Sequence, residues 1–251
     1  MSANNPVTLL AHIGLDCPGA VQLCLPDRMD EALSRDDDRR ELTDHEVARR
    51  LKAVREEPEV SWMGLEERWS LGGNQGKFAL AGEDGRWFEC RGAAPTTHIL
   101  KNGVVGFRLQ ALNEYVCMRT AERCGVAVAH VDYRLFEDEP ALIVERYDRV
   151  RDAAGKVVRL HQEDLCQALS VMPDSKYAED GGPAARDVLR LLAQTDTASS
   201  TCCFSRSSSS TTRSSARLTR TQKTTRCFWA WAGTRGSLPC TTSPPASPTR
   251  T

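Results

Sequence analysis

The chain has 251 residues, and its 33 Lys+Arg against 34 Asp+Glu leave a formal net charge of -1, so the total does not advertise a nucleic-acid partner. No apolar run is long enough to span a bilayer, and Met1 to Thr8 lacks the basic and apolar regions of a signal peptide, so a cytoplasmic location is expected. The cysteines of the body, among them Cys17, Cys90 and Cys166, are scattered singly and read as reduced thiols; with no Cys-x-x-Cys or His-x-x-x-His pair, no metal site is expected.

In chain order, Leu9 to Leu23 mixes apolar residues with Gly14, Pro18 and Gly19 and reads as a loop feeding a short element. The Asp36 to Arg40 run reads as a solvated charge cluster. Thr43 and Glu46 form a capping-box pattern, and Val47, Leu51 and Val54 follow at helical spacing, which predicts a helix from about Asp44 to Glu56. Trp62 to Gly76 is punctuated by glycine and Lys77 to Ala81 restarts an apolar stretch, which suggests two strands about a flexible loop. Trp62, Trp69 and Trp87 are read as packing residues.

Thr97 to Lys101 reads as a strand ending in a lysine, and Asn113 to Cys124 as a helix closed by Gly125. Val131 to Phe136 and Ala141 to Glu145 read as strands about the turn Glu137-Asp138-Glu139-Pro140. Gln162 to Val171 and Pro183 to Ala193 read as helices, the second with Pro183 at the tolerated first position. After Asp196 there is no acidic residue while arginines continue from Arg206 to Arg250, and nearly half of the remaining residues are Ser or Thr. Such a segment buries too little apolar surface to offset its ordering entropy, so disorder is expected.

Ser70-Leu71-Gly72-Gly73-Asn74-Gln75-Gly76-Lys77 has the glycine-rich backbone that can approach phosphates through N–H groups, although a plain hairpin turn has the same composition. It is followed by Pro95 to Lys101, by Asn113-Glu114-Tyr115, and by Val144-Glu145-Arg146-Tyr147-Asp148-Arg149. In order and spacing these four segments resemble the HipA family of bacterial toxin kinases. The resemblance extends back to Leu9-Leu10-Ala11-His12-Ile13-Gly14-Leu15-Asp16-Cys17-Pro18-Gly19-Ala20 and forward through Gln162 to Gln167 and Gly181-Gly182-Pro183. It covers most of Leu9 to Leu192.

That resemblance implies an α+β fold: a protein-kinase-like N-lobe of antiparallel sheet plus helix, the first helices of a C-lobe, and a disordered C-terminal tail. The expected divisions are 1–60, a partial N-terminal region; 61–150, the nucleotide-binding lobe; 151–195, the start of the helical lobe; and 196–251, the tail. Lys101 would hold nucleotide phosphates, with Glu114 as its candidate ion-pair partner. Gly72, Gly73 and Lys77 would add phosphate contacts, and Glu145, Arg146 and Tyr147 would lie where backbone groups bind adenine. Ser70 aligns with a self-phosphorylated serine of the family, and an ordinary turn serine is the alternative. His98 and His161 are read as structural. ATP and Mg2+ are the implied cofactors. A HipB-like DNA-binding antitoxin and a protein substrate of the aminoacyl-tRNA synthetase class are the implied partners, without direct contact to nucleic acid or membrane.

Phosphoryl transfer also needs an Asp to orient the hydroxyl and Asn and Asp ligands for magnesium. The family carries them in Asp-x-His-x-Lys-Asn and Tyr-Asp-Val strings, and neither occurs in this sequence. Reading the genetic code one base out of frame across Leu218 to Trp229 permits Asp-Ala-His-Ala-Lys-Asn, and across Cys240 to Pro248 permits Tyr-Asp-Val. A frameshift near Thr195 to Thr201 is therefore expected. The family's further N-terminal subdomain is also expected to be missing, because the Leu-Leu-x-x-Ile-Gly segment begins here at Leu9. The expected outcome is a kinase fragment that transfers no phosphate; a nucleotide- or antitoxin-binding remnant and a basic-tailed nucleic-acid binder are the alternatives.

Overall fold

The computed structural model describes residues 5–33, 38–56, 67, 69–71, 75–103, 105–107, 109–126, 128–172, 175, 182–192 and 228–229. The chain divides into two units, residues 1–119 with 129–161, and residues 120–128 with 162–251.

The first unit is built on six antiparallel strands in the order β1-β3-β2-β4-β6-β5. These are β1 Arg39–Leu42, β2 Phe78–Glu83, β3 Arg86–Cys90, β4 His98–Lys101, β5 Val131–Phe136 and β6 Glu139–Glu145. Phe78, Ala79, Leu80 and Ala81 of β2 are all buried, as expected of a central strand covered on both faces. Gly82 closes that run because nothing larger fits. An added Cβ would lie 2.8 Å from His98 Nδ1 and 2.9 Å from Trp87 Cζ3.

Helix α3, Asp44–Glu56, packs Val47, Leu51 and Val54 into the main core with Phe78, Leu80, Leu100 and Phe136. It begins as its capping box requires: the Thr43 N–H donates to Glu46 Oε2 at 2.9 Å, and the Glu46 N–H to Thr43 Oγ1 at 3.3 Å. Helix α4, Gln110–Arg123, sets Ala111, Tyr115 and Met118 against Val131, Tyr133, Leu142 and Val144 of β5 and β6. Gly125 follows it at φ +78°, the left-handed conformation that ends helices at little cost to glycine.

Several sequence expectations need correction. Pro6–Ile13 is a helix, α1, rather than a loop; Asn5 Oδ1 accepts from the Val7 and Thr8 N–H groups and Pro6 stands at the first turn. Arg39 and Arg40 belong to β1 instead of a solvated cluster, with Arg40 bonded to Glu46 and Glu89. Strand β3 carried no clear alternation and was not anticipated; nor was the hairpin of β7, Arg149–Arg151, with β8, Val157–Arg159. The β5–β6 turn is tighter than expected: Glu137, at φ +51°, and Asp138 form it, while Glu139 and Pro140 already pair with Phe136 and Leu135. A short helix α2, Met29–Leu33, follows a 3-10 turn at Pro26–Arg28.

In the second unit, the helix expected from Gln162 to Val171 is limited to α5, Leu165–Ala168, preceded by β9, Glu163–Asp164. Asp164 and Gln167 cap one another, each N–H donating to the other's side chain at 2.8 Å. Helix α6 spans Ala185–Leu192. Of the expected tail, Phe228–Trp229 form β10 and pair with β9; the rest of 196–251 lies outside the described residues.

Candidate functional site

Lys101 ends β4, and Glu114 stands one turn into α4, on the helix face that packs over the sheet. Their side chains meet, with Lys101 Nζ 2.6 Å from Glu114 Oε1 and both about four-fifths buried. Glu114 Oε2 is buried without a hydrogen-bond partner. The pair therefore presents a positioned ammonium with further donor capacity, suited in charge to phosphate oxygens. Lys77, just before β2, donates to the Gln75 carbonyl at 2.6 Å. Gly72 and Gly73 lie outside the described residues.

Ser70 is held at the base of its loop, where its N–H donates to the Asp16 carbonyl at 3.1 Å and Asp16 and Trp69 form a single parallel bridge. Three residues before Ser70, Glu67 is buried and accepts from Arg50 Nη1 at 3.0 Å and Trp69 Nε1 at 3.1 Å. Arg50 also bonds Glu89. Trp69 and Trp87 are core residues, and Trp62 lies outside the described residues. His98 is partly buried, with Nδ1 2.8 Å from Thr97 Oγ1 and its ring edge-on to Trp87; desolvation lowers its pKa, which keeps it neutral.

The segment from Glu145 to Asp148 is more deeply committed than an exposed linker. The Glu145 N–H donates to the His130 carbonyl at 2.9 Å and the Arg146 N–H to the Thr97 carbonyl at 2.8 Å. The Arg146 side chain faces the interior, and the residue is only 3% exposed. It donates to both oxygens of Asp148, at 3.0 and 2.9 Å, and to Thr96 Oγ1 at 2.8 Å. Burial raises the Tyr147 pKa and the neighbouring Asp148 charge adds to the effect, so Tyr147 stays protonated.

Sequence reasoning gave no role to the residue at the centre of this network. Asp16 is 1% exposed. Its carboxylate accepts from Thr96 Oγ1 at 2.6 Å, Arg149 Nη2 at 2.8 Å and Arg159 Nη2 at 2.9 Å, with Arg146 Nη1 at 3.4 Å. Burial alone would raise its pKa, but Arg149, Arg146 and Arg159 together outweigh burial and hold the carboxyl ionised. The available signal was an acidic residue inside an apolar stretch, Ile13-Gly14-Leu15-Asp16-Cys17, with Asp148-Arg149 far downstream. A lone charge among apolar residues calls for a partner of opposite sign.

Among the described residues no group of three His, Cys, Asp or Glu is placed to hold a metal ion. No helix among them is long and apolar enough to cross a membrane.

A curled antiparallel sheet packed by α3 and α4, with a lysine on a central strand paired to a glutamate on α4, defines the class: a protein-kinase-like lobe. Comparison with known proteins narrows it. Residues 69–207 match the family model described as the HipA-like C-terminal domain, and the chain belongs to that family. It is 40% identical over 195 residues to the protein named "Putative kinase Y4mE" of Sinorhizobium fredii, covering 76% of this chain and 46% of that one. It is 34% identical over 190 residues to the serine/threonine-protein kinase toxin HipA of Shewanella oneidensis, covering 75% of this chain and 42% of that one. Among solved structures it resembles a chain of the Shewanella oneidensis complex of HipA, HipB and operator DNA, with a TM-score of 0.64 and 27% identity over 82% of this chain and 49% of that one. The chain thus spans about half the length of the relatives it matches.

Proposed function

We propose that the chain is the nucleotide-binding portion of a HipA-type serine/threonine protein kinase, a toxin of the toxin-antitoxin kind, working in the cytoplasm. The observation that carries this reading is the Lys101–Glu114 pair at 2.6 Å. A partly buried lysine on a central strand, fixed by an acid on the adjoining helix, suits ATP phosphates and has little purpose as a surface charge. Lys77 and the Ser70–Lys77 loop supply further phosphate contacts, and main-chain groups of Glu145 to Tyr147 meet the adenine. When bound, ATP supplies the transferable phosphoryl group. The partner is a HipB-like antitoxin and the substrate of the intact enzyme a protein, by analogy with the relatives.

The 251-residue chain, in this reading, binds ATP and transfers nothing. After Asp196 it has no Asp or Asn, so the groups that orient the hydroxyl and ligate magnesium have no counterpart where the family carries them. The test is incubation of the purified chain with radiolabelled ATP, alone and with a protein substrate. Bound label without incorporation into Ser70 or the added protein is expected; robust incorporation would overturn the assignment of inactivity. A chain that bound neither ATP nor a HipB-like protein would overturn the kinase-fragment reading itself.

A further inference from the structure

Residues 14–19 form a strap that belongs to no strand of the six-stranded sheet, yet it touches two distant parts of the candidate site. At one end the Asp16 carbonyl accepts from the Ser70 N–H at 3.1 Å, at the base of the glycine-bearing loop. At the other, the Gly19 N–H donates to Asp148 Oδ2 at 2.7 Å and the Gly19 carbonyl accepts from Arg149 Nη1 at 3.1 Å. Between them the Cys17 carbonyl accepts from Arg146 Nη2 at 3.2 Å and Arg149 Nη2 at 2.9 Å. The Asp16 carboxylate sits where these contacts converge and adds Arg159 of β8, which also donates to the Ala93 carbonyl at 2.8 Å.

We propose that Asp16 is a positioning residue: its carbonyl and carboxylate together fix the base of the Ser70 loop relative to the Glu145–Arg149 linker. This sets the spacing between the groups that meet nucleotide phosphates and those that meet the base, and so it rests on the nucleotide reading above. The chemistry favours this over packing alone. Apolar residues of similar volume fill a core at least as well as a buried ion cluster, which specifies one arrangement of its members at a cost in desolvation. Here the arrangement specified is that of two segments 75 or more positions apart in sequence, Ser70 and Glu145–Arg149. Because one residue holds both, loosening it frees both.

The test uses the full chain, with Asp16→Asn, which keeps the size and loses the charge. As a control, Phe136→Leu trims a buried side chain of the same sheet away from the strap. Amide hydrogen exchange is measured without nucleotide, and ATP affinity by titration. In Asp16→Asn, exchange is expected to quicken in peptides containing Ser70 and in those containing Tyr147 and Asp148, ahead of α3 and β5. ATP affinity is expected to fall about tenfold. Phe136→Leu, compared at equal distance below its own melting temperature, changes neither. Uniform quickening across the sheet, quickening at only one of the two segments, or an equal loss of affinity in the control would overturn the proposal. If the unsubstituted chain binds no ATP, the nucleotide reading fails, and the exchange pattern still decides whether the strap couples loop to linker. Should Asp16→Asn not fold, Arg159→Lys, at the more exposed margin of the cluster, is expected to give the same two-segment pattern more weakly. Exchange identical to the unsubstituted chain would then sink the proposal.

Discussion

The Lys101 ammonium and the Glu114 carboxylate lie 2.6 Å apart, joining the end of a central strand to the helix packed over it. Lys101→Ala removes the proposed phosphate cation and leaves the sheet intact, so far-UV circular dichroism should be unchanged. ATP affinity should fall by about ten- to a hundredfold, as befits a charged hydrogen bond. Glu114→Gln keeps the cation but loses its anchor, and a smaller loss is expected by the same titration. Unaltered affinity in Lys101→Ala would place the phosphates elsewhere.

Acid should destabilise the protein partly through the start of α3. The Arg40 guanidinium, and then the Thr43 N–H, hold the Glu46 pKa at about 2, against an ordinary 4.5. The folded pKa is depressed, so this contribution is complete above the ordinary value and is lost as pH falls towards about 2. Asp16, Asp148 and Glu89 are also shifted downward and act in the same direction. Urea midpoints measured through that acid range should drop, and Glu46→Gln should make the drop shallower. An equally steep profile in the variant would assign the acid limb to the other carboxylates.

Gly82→Ala tests the contact between β2 and the His98–Trp87 pair. Its methyl group would sit 2.8 Å from His98 Nδ1 and 2.9 Å from Trp87 Cζ3, with little room for two packed rings to retreat. A loss of about 1–3 kcal/mol is expected from overpacking, measured by chemical denaturation with the near-ultraviolet signal of Trp87 altered. Stability within error of the unsubstituted protein would mean that the rings yield freely.

The gene offers a test that needs no protein. Shifting the reading frame by one base just after Gln194 should yield an apolar helix, then Asp-Ala-His-Ala-Lys-Asn, then Tyr-Asp-Val, uninterrupted by a stop codon. A stop codon between the motifs would end the frameshift explanation.

The sequence by itself determined the elements whose signals are local. The Thr43–Glu46 box and the spacing of Val47, Leu51 and Val54 gave α3 its limits, and Gly125 marked the end of α4. The HipA-like motifs gave the family, because order and spacing survive in the chain without reference to its fold. Strands β1 and β3 were illegible, since residues such as Arg39 and Arg40 or Arg86 and Glu89 suit a strand only once a neighbouring strand and opposite charges are supplied. Only the tertiary structure could decide that Arg146 turns inward and that Asp16 joins Thr96, Arg146, Arg149 and Arg159. Those contacts span 80 to 143 positions, and burying a charge is tolerable only when its partners arrive from elsewhere in the chain.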